Sequence, residues 1–185
     1  MFRLQVLESV DSTNEVIKRA IEDGEPEGLA IRAYRQTGGY GRQGRAWKSP
    51  RGGMYKSILL RPEVEMRELP TLALVVAIAV RRALASLVVD DQARRICIKW
   101  PNDVVLVGGT LPQTNAPSIK NLYSKLAGIS SEVHAGGICV GIGVNVEPPE
   151  DAMEVGGKNA PAYLADLGFG FTCEREAAIN AVGDA

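Results

Sequence analysis

Phe2-Arg3-Leu4-Gln5-Val6-Leu7 alternates apolar and polar side chains, the two-residue period of a strand. The period then lengthens. Val16, Ile17, Ala20 and Ile21 recur at helical spacing behind Asp11-Ser12-Thr13-Asn14-Glu15, several of which can cap a helix, and Gly24 marks its stop. Apolar runs at 29–34 and 54–60 read as two further strands, the second closed by Arg61-Pro62. Residues 69–87 form the longest predicted helix, apolar on most faces and so expected at the centre of the fold. Short strands at 95–100 and 104–107 flank Pro101-Asn102-Asp103, three residues that favour a tight turn. A last strand pair, 125–133 and 137–146, is joined at Ala135-Gly136-Gly137. Between these elements, 108–123 is rich in Gly, Pro, Asn, Ser and Thr without a period and reads as a surface loop. The tail is weakly helical at 161–167 and 174–182.

Strands and helices are mixed, and several strands are joined by tight turns. That order predicts an α+β fold, a mixed β-sheet flanked by helices, rather than a doubly wound sheet. Gly39-Tyr40-Gly41-Arg42-Gln43-Gly44 does match the glycine spacing of a dinucleotide loop. It runs on, however, into Arg45-Ala46-Trp47-Lys48-Ser49-Pro50, where that motif needs an apolar helix. The 185 residues contain no internal repeat and suit a single domain over 1–185.

Composition narrows the class. With 21 Lys and Arg against 22 Asp and Glu, the chain lacks the cationic excess of a non-specific nucleic-acid binder. Its basic residues nevertheless crowd into 32–61, which predicts a local cationic pocket. Cys97, Cys139 and Cys173 stand far apart with no CxxC pair, as in a reducing cytoplasm. Cys97 and Cys139 lie in apolar runs and read as buried hydrophobes. His134 is the only histidine, so no Cys/His zinc site is expected. Residues 1–10 lack the apolar core of a leader, and Arg81 and Arg82 argue against a membrane span at 69–87. A cytoplasmic protein with no membrane or nucleic-acid partner is the expectation.

Two segments carry most of the chemistry. The stretch 36–47, Gln-Thr-Gly-Gly-Tyr-Gly-Arg-Gln-Gly-Arg-Ala-Trp, combines glycines that let a backbone close around a ligand with arginines that present forked donors to phosphate or carboxylate oxygens. Lys99-Trp100-Pro101-Asn102-Asp103 places a cation, an amide and a carboxylate together after an apolar run. Such a pair suits a site that holds a nucleotide triphosphate beside an acid to be activated. Trp100 reads as core packing.

These segments line up with Asp11-Ser12-Thr13-Asn14, Lys125-Leu126-Ala127-Gly128-Ile129 and Gly141-Ile142-Gly143-Val144-Asn145-Val146. In content and order the five resemble the catalytic domain of biotin protein ligases over roughly residues 5–148. The resemblance implies a class II aminoacyl-tRNA synthetase/biotin synthetase-like fold and a two-step reaction. Biotin and ATP would give biotinyl-5'-adenylate, and a lysine of a biotin carboxyl carrier protein would then take the biotinyl group. ATP and Mg2+ are thus implied as co-substrate and ion and biotin as substrate, with no zinc, haem or flavin.

Carried over by position, Ser12, Thr13, Asn14, Gln36, Gly39, Tyr40, Gly41, Arg42, Lys125 and Gly128 fall to biotin. Arg42, Arg45, Trp47, Lys99, Asn102, Asp103 and Asn145 fall to ATP. Arg42, Lys99, Asp103 and Lys125 are the implied catalytic set, and Asp103 the implied magnesium ligand. Without the resemblance, Asp11–Asn14 reads as a helix cap and Lys125 as a solvent-facing strand lysine.

Tyr40 and Gln43 depart from the family, many of whose members carry arginine at both positions. The 108–123 loop is longer than usual, and the small C-terminal β-barrel and an N-terminal DNA-binding module of related ligases are both expected to be missing. A repressor role is therefore not expected, and a homodimer enters as a family habit that no residue of this chain establishes. Two rivals remain. One is a lipoate-protein ligase, whose loop carries Arg-Arg followed by three glycines. The other is a non-catalytic biotin-binding or sensing domain.

Overall fold

The computed structural model describes residues 2–108, 123–149 and 160–169. Residues 109–122 of the loop predicted at 108–123, Cys173 and the helix predicted at 174–182 lie outside the described residues. Seven strands form one sheet: β1 (Arg3–Leu7), β2 (Leu29–Ala33), β3 (Gly53–Leu60), β4 (Ile96–Lys99), β5 (Asp103–Val107), β6 (Tyr123–His134) and β7 (Gly137–Asn145). Their spatial order is β1-β2-β3-β7-β6-β5-β4. Only β1 and β2 run parallel, with α1 (Thr13–Glu22) as their crossover; every other neighbouring pair is antiparallel. The mixed sheet flanked by helices is thus the observed architecture.

β7 explains the two layers. Its even positions, Ile138, Val140, Ile142 and Val144, join the larger core on one side of the sheet. Its odd positions are Gly137, Cys139, Gly141, Gly143 and Asn145, and because side chains alternate they turn to the other side. The larger core is covered by α2 (Leu72–Ser86), which inserts Ala77, Val80 and Leu84. On the opposite face, Ile17 and Ile21 of α1 pack with Leu29, Ile31, Leu59 and Cys139. Gly137 lets α1 settle closely there, since a Cβ would stand 3.0 Å from Ile21 Cγ2.

The longest helix is less central than its composition predicts. Val75 and Ile78 are exposed, and only three of its residues are fully buried. The segment Leu69–Ser86 is long and apolar enough by length and composition to cross a membrane. In the fold it lies against the sheet, with Arg81 donating to the carbonyls of Ile96 and Ala93 at 2.9 and 3.3 Å. The basic cluster at 32–61 is also dispersed rather than gathered at one wall. Arg32 and Lys56 are buried side by side in the β2–β3 register, Arg51 pairs with Glu8, and Arg61 donates to three carbonyls. Trp100, expected in the core, is 76% exposed. Cys97 is half-buried and Cys139 buried, its thiol pushed up to about 12 chiefly by burial.

Candidate active site

The face of the sheet carrying α1 is apolar at one end only. At the other end the inward positions are Ser57 on β3, Gly141 and Gly143 on β7, and Gly128 and Ser130 on β6. Small residues here leave a pocket where the opposite face has a packed core. Gly141 lies beneath Asn14: a Cβ would meet Asn14 Oδ1 at 2.4 Å and Ser130 Oγ at 2.6 Å. Gly143 lies beneath Trp47, with a Cβ at 2.7 Å from the indole Nε1. The floor therefore runs from Asn14 to Trp47 over two residues of strand, roughly 7 Å.

At the Asn14 end the walls are neutral and rich in hydrogen-bonding groups. Ser12 occupies the N-cap of α1, but its side chain makes no capping bond. Gln36, from the segment after β2, does this instead: its Oε1 accepts from Thr13 N at 2.8 Å and Thr13 Oγ1 at 3.0 Å, while its Nε2 donates to Ser49 Oγ at 2.8 Å. Ser57 Oγ lies 2.7 Å from Thr13 Oγ1 and 2.6 Å from Asn14 Oδ1. Asn14 Nδ2 points to Ser130 Oγ at 3.3 Å. The cap reading of 11–14 is thus right in position and wrong in acceptor, because the side-chain oxygen of Gln36, arriving from the loop, takes the place of a local hydroxyl.

The other end is cationic. Lys125 Nζ stands 2.7 Å from Asp103 Oδ1 and 5.0 Å from the centre of the Trp47 ring. Its place depends on a bulge. Val104 pairs with Ala127 but Val105 with Lys125, so Leu126 is one extra residue in β6. Leu126 and Ala127 both enter the core, and Lys125 emerges on the same face as Gly128, whose Cβ would stand 3.1 Å from Lys125 Nζ. Beyond the bulge β6 exchanges β7 for residues 160–162, through bonds from Lys125 N to Ala160 O and from Ala162 N to Lys125 O, both 2.8 Å.

The glycine-rich loop closes the pocket from above. It is its own small hairpin, held by Gly41 N to Arg45 O and Trp47 N to Gly39 O, both 2.8 Å. A single turn of 3-10 helix, Arg42–Gly44, forms its tip, where Gln43 takes a φ of 62°. Tyr40 and Trp47 are half-buried, whereas 42–46 are exposed. The Tyr40 hydroxyl donates to Glu15 Oε1 at 2.6 Å and accepts from Lys18 Nζ at 2.7 Å. Burial and the Glu15 carboxylate push this phenol up to about 12, and the Tyr40 hydrogen bond holds Glu15 below its ordinary range. Despite partial burial, the Glu132 and Tyr40 oxygens hold Lys18 above the usual lysine range.

Of the residues predicted from sequence, the structure gathers Thr13, Asn14, Gln36, Tyr40, Gly41, Arg42, Trp47, Asn102, Lys125 and Gly128 around this pocket. The rest lie outside its lining. Ser12 is buried beside it, and Gly39 packs at the base of the loop, where a Cβ would come within 2.5 Å of Ser49 Oγ. Arg45 is exposed and donates to Gln43 Oε1 at 2.9 Å. Lys99 lies at the rim, 3.9 Å from Asp103 Oδ2 and 4.9 Å from the Tyr123 ring centre. Asn145 donates to the carbonyl of Lys125 at 3.1 Å, and Asn102 to that of Ile129 at 2.8 Å. Ser57, Ser130, Lys18 and Glu15 were not singled out by sequence. The period-2 pattern was the available signal for Ser57 and Ser130, which share a face with Gly141 and Gly128.

The described residues build no magnesium cage. No group of three His, Cys, Asp or Glu side chains converges among them, and Asp103 already faces two ammonium groups.

Residues 6–148 match the biotin/lipoate A/B protein ligase family. The chain is 35% identical over 156 residues to a biotin--[acetyl-CoA-carboxylase] ligase of Paracoccus denitrificans, covering 81% of this chain and 57% of that protein. It is 31% identical over 149 residues to the bifunctional ligase/repressor BirA of Bacillus subtilis, covering 77% of this chain and 40% of that one. The chain thus spans between two fifths and three fifths of these relatives. Among solved structures, the biotin protein ligase of Aquifex aeolicus in complex with biotin and ATP superimposes with a TM-score of 0.74 at 32% identity, covering 100% of this chain and 68% of that one.

Proposed function

The chain belongs to the biotin/lipoate A/B protein ligase family, and from that membership we propose that it activates biotin with ATP and passes it to a lysine of a biotin carboxyl carrier protein. The observation that carries this reading is the polarity of the pocket along its floor. A neutral end of Thr13, Gln36 and Ser57 suits a ureido head, which both donates and accepts. A cationic end at Lys125, about 7 Å along the strand, suits the carboxylate tail. The glycines between them leave room for an apolar ring and chain.

In the first step a biotin carboxylate oxygen attacks the α-phosphorus of ATP, and pyrophosphate leaves. Two anions must meet, so fixed cations and donors have to lower their repulsion. In this reading Lys125 bridges carboxylate and α-phosphate, and Arg42 enters from the loop. Trp47, Asn102 and Asn145 fall to the nucleotide, with Lys99 and Arg45 at its outer edge. A magnesium ion would arrive on the nucleotide's phosphates, for which its chemistry is suited, rather than in a protein cage. In the second step the acceptor lysine's amine attacks the acyl carbon, AMP leaves, and a proton is lost from nitrogen. In this reading Asp103, released when Lys125 turns to the ligand, takes that proton. The loop shields the mixed anhydride from water.

Biotin-dependent exchange of labelled pyrophosphate into ATP tests the first step. Exchange with biotin and not with lipoate is expected. Exchange with lipoate alone would overturn the choice of acid, and tight biotin binding without any exchange would make the chain a sensor.

A further inference from the structure

We propose that Tyr40 is a positioning residue that docks the glycine-rich loop before any ligand arrives, through a clasp formed with Glu15, Lys18 and Glu132. The loop has two half-buried anchors, Tyr40 and Trp47, and they differ in kind. Trp47 rests on Gly128 and Gly143, the floor that a ligand would occupy, so this contact has to yield or rearrange on binding. Tyr40 reaches instead to α1, to one side of that floor, and its contact can persist throughout.

The clasp is saturated. An ammonium has three donors, and Lys18 Nζ has three oxygens around it: Glu132 Oε2 at 2.7 Å, Tyr40 Oη at 2.7 Å and Glu15 Oε1 at 3.3 Å. The same ammonium lies 5.2 Å from the Tyr40 ring centre. The phenol spends its one proton on Glu15. Three elements are thereby joined at one point: α1 through Glu15 and Lys18, β6 through Glu132, and the loop through Tyr40. The chain of contacts continues inward, because Asn14 Nδ2 lies 3.4 Å from Glu132 Oε1 and Asn14 Oδ1 takes the Ser57 hydroxyl. With two carboxylates already on it, the Lys18 ammonium has no uncompensated charge to offer an entering phosphate, whereas a bare lysine would be drawn to the ligand. Tyrosine at this position thus serves to order the loop.

Hydrogen exchange on the ligand-free protein tests this directly. In Tyr40→Phe, which keeps the ring, the amides of Gly41 and Trp47 are expected to exchange about tenfold faster, the loss of one charge-assisted hydrogen bond, while the β3–β7 ladder stays as protected as before. Lys18→Met is expected to do the same and Lys18→Arg to retain most of the protection. Unchanged protection of the loop in Tyr40→Phe overturns the proposal. So does a loss shared equally by α1 and the sheet, which would make the tyrosine a general structural contact. The consequence for turnover rests on the proposed adenylation: in Tyr40→Phe the adenylate should escape about tenfold faster than from the unsubstituted protein. Because exchange is read without ligand, a wild-type protein that binds no biotin would refute the proposed function and leave the clasp standing.

Discussion

The two faces of the central sheet share one strand and use it oppositely. On the side of α2, β7 contributes Ile138, Val140, Ile142 and Val144 to a continuous core. On the side of α1 the same strand contributes Gly141 and Gly143, over which Asn14 and Trp47 lie directly. One face is filled by the chain itself, and the other is kept short so that something else can fill it. Stability and recognition are thereby assigned to alternate residues of a single segment, and a substitution one position along should change one property and spare the other.

The sharpest way to break that division is to fill the wrong face. Gly143→Val places carbon where Trp47 Nε1 now sits, so biotin affinity should fall by at least about a hundredfold, read by calorimetry. The converse is Leu84→Ala on α2, which empties a fully buried position. This should cost about 2–5 kcal/mol in chemical denaturation while leaving the biotin affinity of the folded protein as it was. If Leu84→Ala weakened binding as much as stability, the two faces would not be independent. Ser57→Ala tests the boundary between them, removing a buried hydroxyl that touches both Thr13 and Asn14. A loss of about 1–3 kcal/mol in stability and a roughly tenfold weaker biotin complex are expected together.

Most of the strands were legible, β1 by the two-residue period that survives wherever one face is buried. β2 and β3 were found as apolar runs, and β6 and β7 as a pair whose turn at Ala135-Gly136 was marked by its glycines. Apolar composition could not say how much of α2 would be covered, so Val75 and Ile78 are exposed where burial was expected. Trp100 failed for a related reason, since an aromatic next to a tight turn at the sheet's rim has no layer above it. The site was legible as a set of segments but not as a set of partners. That Gln36 caps α1, or that Tyr40 reaches Glu15 and Lys18, depends on contacts more than twenty residues apart in sequence.

The smallest effect expected here is a pH dependence of that last contact. Glu15 is held below its ordinary 4.5, so its contribution to loop docking is present above that value and is lost as the pH falls through the lower folded value. Tyr40 is pushed from 10.0 up to about 12, so its contribution is present below pH 10 and is lost as the pH rises through about 12. The facing groups are Lys18 and Glu132, and the ammonium of Lys18 remains charged across this range. In a Trp100→Phe background Trp47 is the sole tryptophan, and its quenching by acrylamide should be flat between these limbs and rise outside them.

The extra residue at Leu126 has an implication for how such chains diverge. Lys125 owes its address to a count, not to the chemistry of its neighbours. Paired regularly over the same sequence, β6 would turn Lys125, three residues from Gly128, toward the packed side beneath α2, and the pocket would lose its cation with the lysine still in the chain. Changes that straighten this bulge are accordingly more dangerous to the pocket than most others in the strand. A relative that keeps all five sequence segments but pairs here without the bulge would carry the signature of the site without the site.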